Sequence, residues 1–287
     1  MIARQLSKKA LELFGQFPAL MITGPRQSGK TTLIKNLFPQ LPYISLEEPD
    51  IRQRAMEDPR SFLNNYANGA VFDEVQRVPN LFSYLQSLLD ENPARHFVLS
   101  GSQHFLLIEQ VTQSLAGRVA VLQLLPFSLS EMKIGGLMLN TLEEALFFGG
   151  YPRIFNQNIS PYDFHTSYLQ TYIERDVRQL RQVSDLNLFV RFIRLCAGRI
   201  GQLLNIHSLA SDAGISTTTA QAWLSVLETS HIVFLLQPHF KNFNKRLVKT
   251  PKLYFTDTGL ACNLLGIEKP EQLTSHFLKG GLFENLI

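Results

Sequence analysis

Cysteine is scarce: the 287 residues hold two, Cys196 and Cys262. They lie far apart in apolar surroundings, so they make neither a disulfide framework nor a metal cluster, and a reduced, cytoplasmic setting is expected. No run approaches ~18 apolar residues. The N-terminal MIARQLSKKALELFGQF has basic residues but no sustained apolar core and no small-residue cleavage site, which argues against a membrane span or a signal peptide. A dominant charge is missing too. Lys and Arg number 27 against 24 Asp and Glu, so a net charge of +3 imposes no global field, and any basic surface must be argued locally. Apolar residues, by contrast, make up 45%, enough for well-filled cores in a chain long enough for two domains.

The most informative stretch is ALMIT-GPRQSGKTT-LIKNL, from Ala19 to Leu37. It reads as a short apolar strand, a loop of the form G-x-x-x-x-G-K-[ST] from Gly24 to Thr31, and the opening of a helix. Gly24 and Gly29 lack Cβ atoms, so the backbone can fold tightly and turn its N–H groups toward phosphate oxygens, with the positive end of the helix dipole behind them. The candidate cradle is Gly24, Pro25, Arg26, Gln27, Ser28, Gly29, Lys30, Thr31 and Thr32. Lys30 is placed to reach the β- and γ-phosphates of ATP, and Thr31 to ligate Mg²⁺.

Before the loop, Ile2, Leu6, Ala10, Leu13, Phe14 and Phe17 recur at helical spacing, an amphipathic helix expected to pack on the strand that feeds the loop. After it come a strand at YISLEE (Tyr43–Glu48), a helical stretch Ile51–Tyr66, and GAVFDEVQRV, in which three apolar residues precede Asp73 and Glu74. A strand buried in a parallel sheet opens its carboxyl end toward the ligand crevice, which brings Asp73 beside the loop. Asp73 is expected to hold Mg²⁺ through its water shell, and Glu74 to orient and polarise the attacking water. A helix at Leu81–Glu91 and a polar-ended strand at Arg95–Gln103 complete a β–α alternation.

GPRQSGKTTL, VFDEVQRV, VLSGSQHFLL and SLAGRVAVLQLLPFSLSE together resemble the bacterial and archaeal predicted AAA+ ATPases of the AAA_14/DUF4143 group, over essentially the whole chain. The resemblance implies an α/β fold: a P-loop NTPase parallel sheet of the additional-strand AAA+ type, with the loop strand beside the polar-ended strand. It also implies that Ser102 or Gln103 senses the γ-phosphate, although either residue would equally cap the following helix. Arg118 matches a Gly-Arg that precedes a strand in the family. It is either a nucleotide-sensing or finger arginine, acting in trans in a homo-oligomer, or a surface residue leading into Val119–Leu124.

From Pro126 the pattern turns helical. Expected boundaries are 1–125 for the ATPase core, 126–200 for a helical lid and connector, 201–267 for a winged helix-turn-helix domain, and 268–287 for the start of a truncated C-terminal segment. Within the lid, GGYPRIF offers Arg153, as a second phosphate-sensing arginine or a plain loop residue. NIHSLASDAGIS followed by TTTAQAWLSVLETSHIV predicts two helices around Gly214, with Ser216 as cap. Thr217, Thr218, Thr219 and Gln221 fall on the exposed start of the second helix as candidate DNA contacts, while Trp223, Leu224, Val226 and Leu227 form its core face. Two strands should then flank a basic turn carrying Lys245, Arg246 and Lys249, a candidate wing for DNA or for protein docking. Near the end, Glu284 is expected at a helix start; family members commonly continue from an LFEN-like segment into a fold related to restriction endonucleases.

Overall fold

A computed structural model describes residues 2–287 apart from 93, 102–113, 138, 174–176, 179–182, 184 and 240–249. The chain forms two compact units, Met1–Gly135 and Gly136–Ile287.

The first unit is a layered α/β structure. Its strands are β1 (Ala19–Thr23), β2 (Tyr43–Ser45), β3 (Val71–Asp73), β4 (Phe97–Ser100) and β5 (Val119–Gln123), all parallel in the order β2-β3-β4-β1-β5. The strand that feeds the loop therefore lies beside the polar-ended strand, as the resemblance implied. Side chains alternate across the sheet because successive Cβ atoms point to opposite faces. Leu20, Ile22, Val71 and Val98 join one buried cluster with Ala10 of α1 (Leu6–Phe14) and Leu33 and Ile34 of α2 (Lys30–Leu37). Met21, Phe72, Phe97 and Leu99 join the other, with residues of α3 (Pro49–Glu57), α4 (Pro59–Asn64) and α5 (Leu81–Glu91). Helices on both faces explain why the strands read as unbroken apolar runs.

The helix expected over 51–66 is two helices. Pro59 has no N–H to continue the first, and the Asp58 carboxylate instead accepts from the Ser61 N–H at 2.9 Å, capping α4. The unit closes with α6 (Leu129–Ile134), which opens in a capping box: Ser128 Oγ accepts from the Glu131 N–H and the Glu131 carboxylate from the Ser128 N–H.

The second unit is mainly helical: α7 (Leu142–Phe148), α8 (Pro152–Gln157), α9 (Pro161–Tyr172), α10 (Leu186–Ala197), α11 (Ile206–Ala213), α12 (Thr217–Thr229), α13 (Thr258–Leu264) and α14 (Lys279–Leu286). Strands β6 (Val233–Leu236) and β7 (Lys252–Phe255) pair antiparallel, with Val233 opposite Phe255. One buried cluster runs from Leu146 to Leu282, so residues on both sides of the expected 200/201 and 267/268 boundaries share a core. Gly214 takes a left-handed conformation (φ +77°) that ends α11, and Ser216 caps α12. Trp223 is an anchor in this core, edge-on to Phe189 and Phe192 with ring centroids 5.2 and 5.6 Å away. Glu284 sits well inside α14 rather than at a helix start; its carboxylate accepts from the Tyr254 hydroxyl at 2.6 Å and pairs with Lys252.

Candidate functional site

The loop that follows β1 is shaped by backbone constraints. Gly24 has φ +142°, and a Cβ there would lie 2.1 Å from the Leu124 carbonyl oxygen, so no larger residue fits. Gly29 (φ +93°) turns the chain left-handed into α2, and Gln27 is also at positive φ (60°). Lys30 begins α2 and folds back, its ammonium donating to the carbonyls of Gly24 at 2.9 Å and Pro25 at 2.7 Å. Burial pushes its pKa down to about 8, with Glu74 and Asp73 pulling it back up and Arg26 adding to the depression. The Ser28 hydroxyl is buried without a hydrogen-bond partner. A buried cation bonded to carbonyls and an orphaned hydroxyl in a glycine-shaped concavity are what an anion would satisfy, so the loop fits a phosphate group.

Asp73, at the carboxyl end of β3, is the hub. It is buried, and four donors converge on its carboxylate. Oδ2 accepts from Thr31 Oγ1 at 3.0 Å and from the Tyr43 hydroxyl; Oδ1 accepts from the Glu74 N–H at 3.0 Å and from Ser100 Oγ. Burial, then the hydrogen bond to Asp73, raises the Tyr43 phenol well above its ordinary pKa, so it stays protonated and donates. Lys35 covers the Tyr43 ring, its nitrogen 3.9 Å from the centroid. Glu74 adopts a left-handed conformation (φ 54°, ψ 43°), which turns its N–H back onto Asp73, and its own carboxylate accepts from the Gln76 side chain. Among the described residues no group of three or more His, Cys, Asp or Glu could hold a metal. Thr31 and Asp73 do supply hard oxygen atoms side by side, which suits Mg²⁺, an ion that keeps most of its waters and takes few protein ligands.

A second knot braces the loop from outside. Arg4 is buried, and its guanidinium donates to the Ser28 carbonyl at 2.9 Å, to Glu131 at 3.2 Å and to the Leu125 carbonyl. Burial lowers its pKa and Glu131 raises it back. In sequence, Arg4 is one polar residue among several on an amphipathic segment, and nothing in the spacing distinguishes it. Tyr43 and Ser100 were equally silent, as ordinary positions in apolar strands.

Other candidates lie elsewhere. Arg118 stands at the start of β5, its carbonyl accepting from the N–H of Ala19 at the opposite end of β1 from the loop. Five residues at ~3.3 Å each put it roughly 16 Å from the loop of its own chain. There its guanidinium grips both Asp90 oxygens, at 2.6 and 2.9 Å. Thr32 is exposed on α2. Ser102 and Gln103 lie outside the described residues, as do Lys245, Arg246 and Lys249. Arg153 is in α8, exposed, and donates to Gln157 at 2.8 Å. Thr218 and Gln221 are exposed on the first turns of α12; Thr217 and Thr219 are half-buried, Thr219 bonded to the capping Ser216 and Thr217 to His207.

The fold and this loop define a P-loop ATPase-like protein. Residues 16–133 match the family described as an AAA domain, and residues 139–271 match one described as a domain of unknown function, DUF8612. An uncharacterized protein of Mycobacterium tuberculosis is 31% identical over 94% of this chain and 61% of its own length. An uncharacterized protein of Methanocaldococcus jannaschii is 22% identical over 93% of this chain and 65% of its own. The chain thus spans less than two thirds of these relatives. A Walker-type ATPase of Pyrococcus abyssi shares the fold, with a TM-score of 0.58 at 15% identity over 92% of this chain and 96% of that one. The N-terminal unit accordingly has a P-loop ATPase-like fold, and it is similar to the AAA domain family over residues 16–133. No helix among the described residues is long and apolar enough to cross a membrane.

Proposed function

We propose that the protein is a Mg²⁺-dependent AAA+ ATPase in which ATP binding and hydrolysis move a winged-helix module that contacts DNA. The hydrogen bond between Thr31 and Asp73 beside Lys30 carries the catalytic part of this reading, because it joins the loop and the acidic strand end into one site. The backbone of Gly24–Thr32 wraps the phosphates, Lys30 binds their β and γ oxygens, Thr31 offers its hydroxyl oxygen to the metal, and Asp73 holds the metal's water shell. Glu74 orients and polarises the attacking water, and Ser102 senses the γ-phosphate. When bound, Mg²⁺ neutralises charge on the phosphate oxygens. Arg118, remote from its own loop, acts on a neighbouring copy in a homo-oligomer.

Steady-state phosphate release, run alongside nucleotide binding, tests the assignment. Lys30→Ala should lose both. Glu74→Gln should keep binding while hydrolysis falls by about 10²–10⁴-fold, the range for removing a general base. Hydrolysis by Lys30→Ala at the parent rate would overturn the reading.

The winged-helix part is supported by α11 and α12 around Gly214, followed by the β6–β7 pair, and by the basic sequence at Lys245, Arg246 and Lys249. Thr217, Thr218, Thr219 and Gln221 are the proposed contacts on α12. DNA affinity should fall steeply with salt, and less steeply when the three basic residues are replaced. A second reading, a nucleotide-gated docking or DNA-binding switch with negligible turnover, predicts nucleotide binding without phosphate release.

A further inference from the structure

An ionised carboxylate offers about four lone-pair positions, and at Asp73 all four are taken. Thr31 Oγ1 and the Tyr43 hydroxyl share Oδ2, while Ser100 Oγ and the Glu74 N–H share Oδ1. To accept a hydrogen bond from a water in a metal's shell, Asp73 must release one of these donors. Glu74 donates through its backbone, in a conformation fixed by the turn after β3. Ser100 is wholly buried in a central strand, where its hydroxyl has no alternative solvent partner. Thr31 can turn its lone pairs to a metal while its O–H keeps donating to Asp73. Tyr43 differs from all three: it sits on β2, the edge strand, half-buried, and reaches Asp73 through a long side chain with two free torsions. The Lys35 ammonium also lies against its ring face, 3.9 Å from the centroid, a contact made while the hydroxyl is on Asp73 and separate from that hydrogen bond.

We propose that Tyr43 is a latch on the metal site: its hydroxyl occupies the position on Asp73 that a magnesium-bound water needs, and must be displaced when the magnesium–nucleotide complex binds. Tyr43 acts through Asp73 as a positioning residue that raises the magnesium requirement and keeps the empty carboxylate satisfied. The latch rests on the ATPase reading above.

The experiment measures binding of a fluorescent, non-hydrolysable ATP analogue over a range of magnesium concentrations, and again in EDTA. Tyr43→Phe keeps the ring and removes the competing donor. It should lower the magnesium concentration for half-maximal binding by about tenfold, comparable to one hydrogen bond to a charged group, while binding in EDTA stays within about twofold of the parent. Lys35→Met, which keeps the hydroxyl, should leave the parent's magnesium requirement unchanged. An unchanged or higher requirement in Tyr43→Phe, or an equal shift in Lys35→Met, overturns the latch, as does a loss of binding in EDTA. A parent with no magnesium-dependent nucleotide binding overturns the ATPase reading, and the latch with it.

Discussion

Each unit of the molecule buries an aspartate at the end of a strand, and the two are held in opposite ways. Asp73 takes three of its four hydrogen bonds from hydroxyl side chains, two of which, on Thr31 and Tyr43, reach toward solvent at the loop. Asp257 takes its bonds from backbone: the Gly150 N–H at 2.7 Å and the Leu260 N–H at 2.9 Å, the latter capping α13. His165 Nε2 lies 3.6 Å from it, both side chains almost fully buried. Close packing seals this second site. A Cβ at Gly149 would fall 2.2 Å from Asp257 Oδ1, and one at Gly259 would fall 2.4 Å from His165 Nε2. A carboxylate held in part by two hydroxyls that border solvent, those of Thr31 and Tyr43, can exchange partners, whereas one fixed by N–H groups of two packed turns can only clamp them.

The largest effect expected from this contrast is on stability. Asp257→Ala removes a helix cap and the acceptor for two N–H groups, those of Gly150 and Leu260, and should destabilise the second unit by about 3–5 kcal/mol. Denaturant unfolding followed by fluorescence of Trp223, the chain's single tryptophan and a core residue of that unit, measures this directly. Asp73→Ala should cost the first unit less than half as much, since Thr31 and Tyr43 can turn to water. An equal cost would erase the distinction.

A smaller effect concerns the loop. The free protein's Lys30 has its pKa pushed down to about 8, and phosphate binding requires the charged form. Nucleotide affinity should therefore be flat below pH 8 and fall by up to about tenfold per unit above it, because the bound state must take up a proton. Isothermal binding in buffers of different ionisation enthalpy would detect that proton uptake; affinity constant from pH 7 to 9.5 would refute it.

The smallest effect falls on the clamp. Burial holds the His165 pKa below its ordinary value against the pull of Asp257. The unfolded chain therefore takes up a proton first as pH drops through about 6.5, and the native unit loses stability from there down to the lowered pKa. The midpoint reported by Trp223 should shift to lower denaturant over that window, and His165→Gln should flatten the slope. A steeper slope in the variant would contradict the assignment.

The legible parts of the site were those with strong local constraints. Gly24 and Gly29 surrounding a Lys-Thr pair, and an Asp-Glu pair closing an apolar strand, are patterns that backbone sterics and phosphate chemistry impose over a few residues. Elements with an apolar period were legible for the same reason, as Leu81–Glu91 and the α11–α12 pair around Gly214 illustrate. The helix over 51–66 divided because Asp58-Pro59 is a local break that the apolar period masks. Tyr43, Ser100 and Arg4 gave no signal, because what matters about each is a partner 27 to 127 residues away: Asp73 for the first two, Glu131 for the third. The same holds for Asp257, which in sequence sits in a small polar turn and in space holds Gly150, 107 residues earlier.

By itself, then, the sequence determined that a phosphate-shaped loop precedes a helix, that an acidic strand end follows, and that two helices meet around Gly214 with Trp223 on the core face of the second. These follow from backbone geometry and side-chain period, which act over short distances. Tertiary structure alone decided that Asp73 is saturated by four donors, that Arg4 braces Ser28, and that Arg118 faces away from its own loop, because strand order determines which ends of which strands meet.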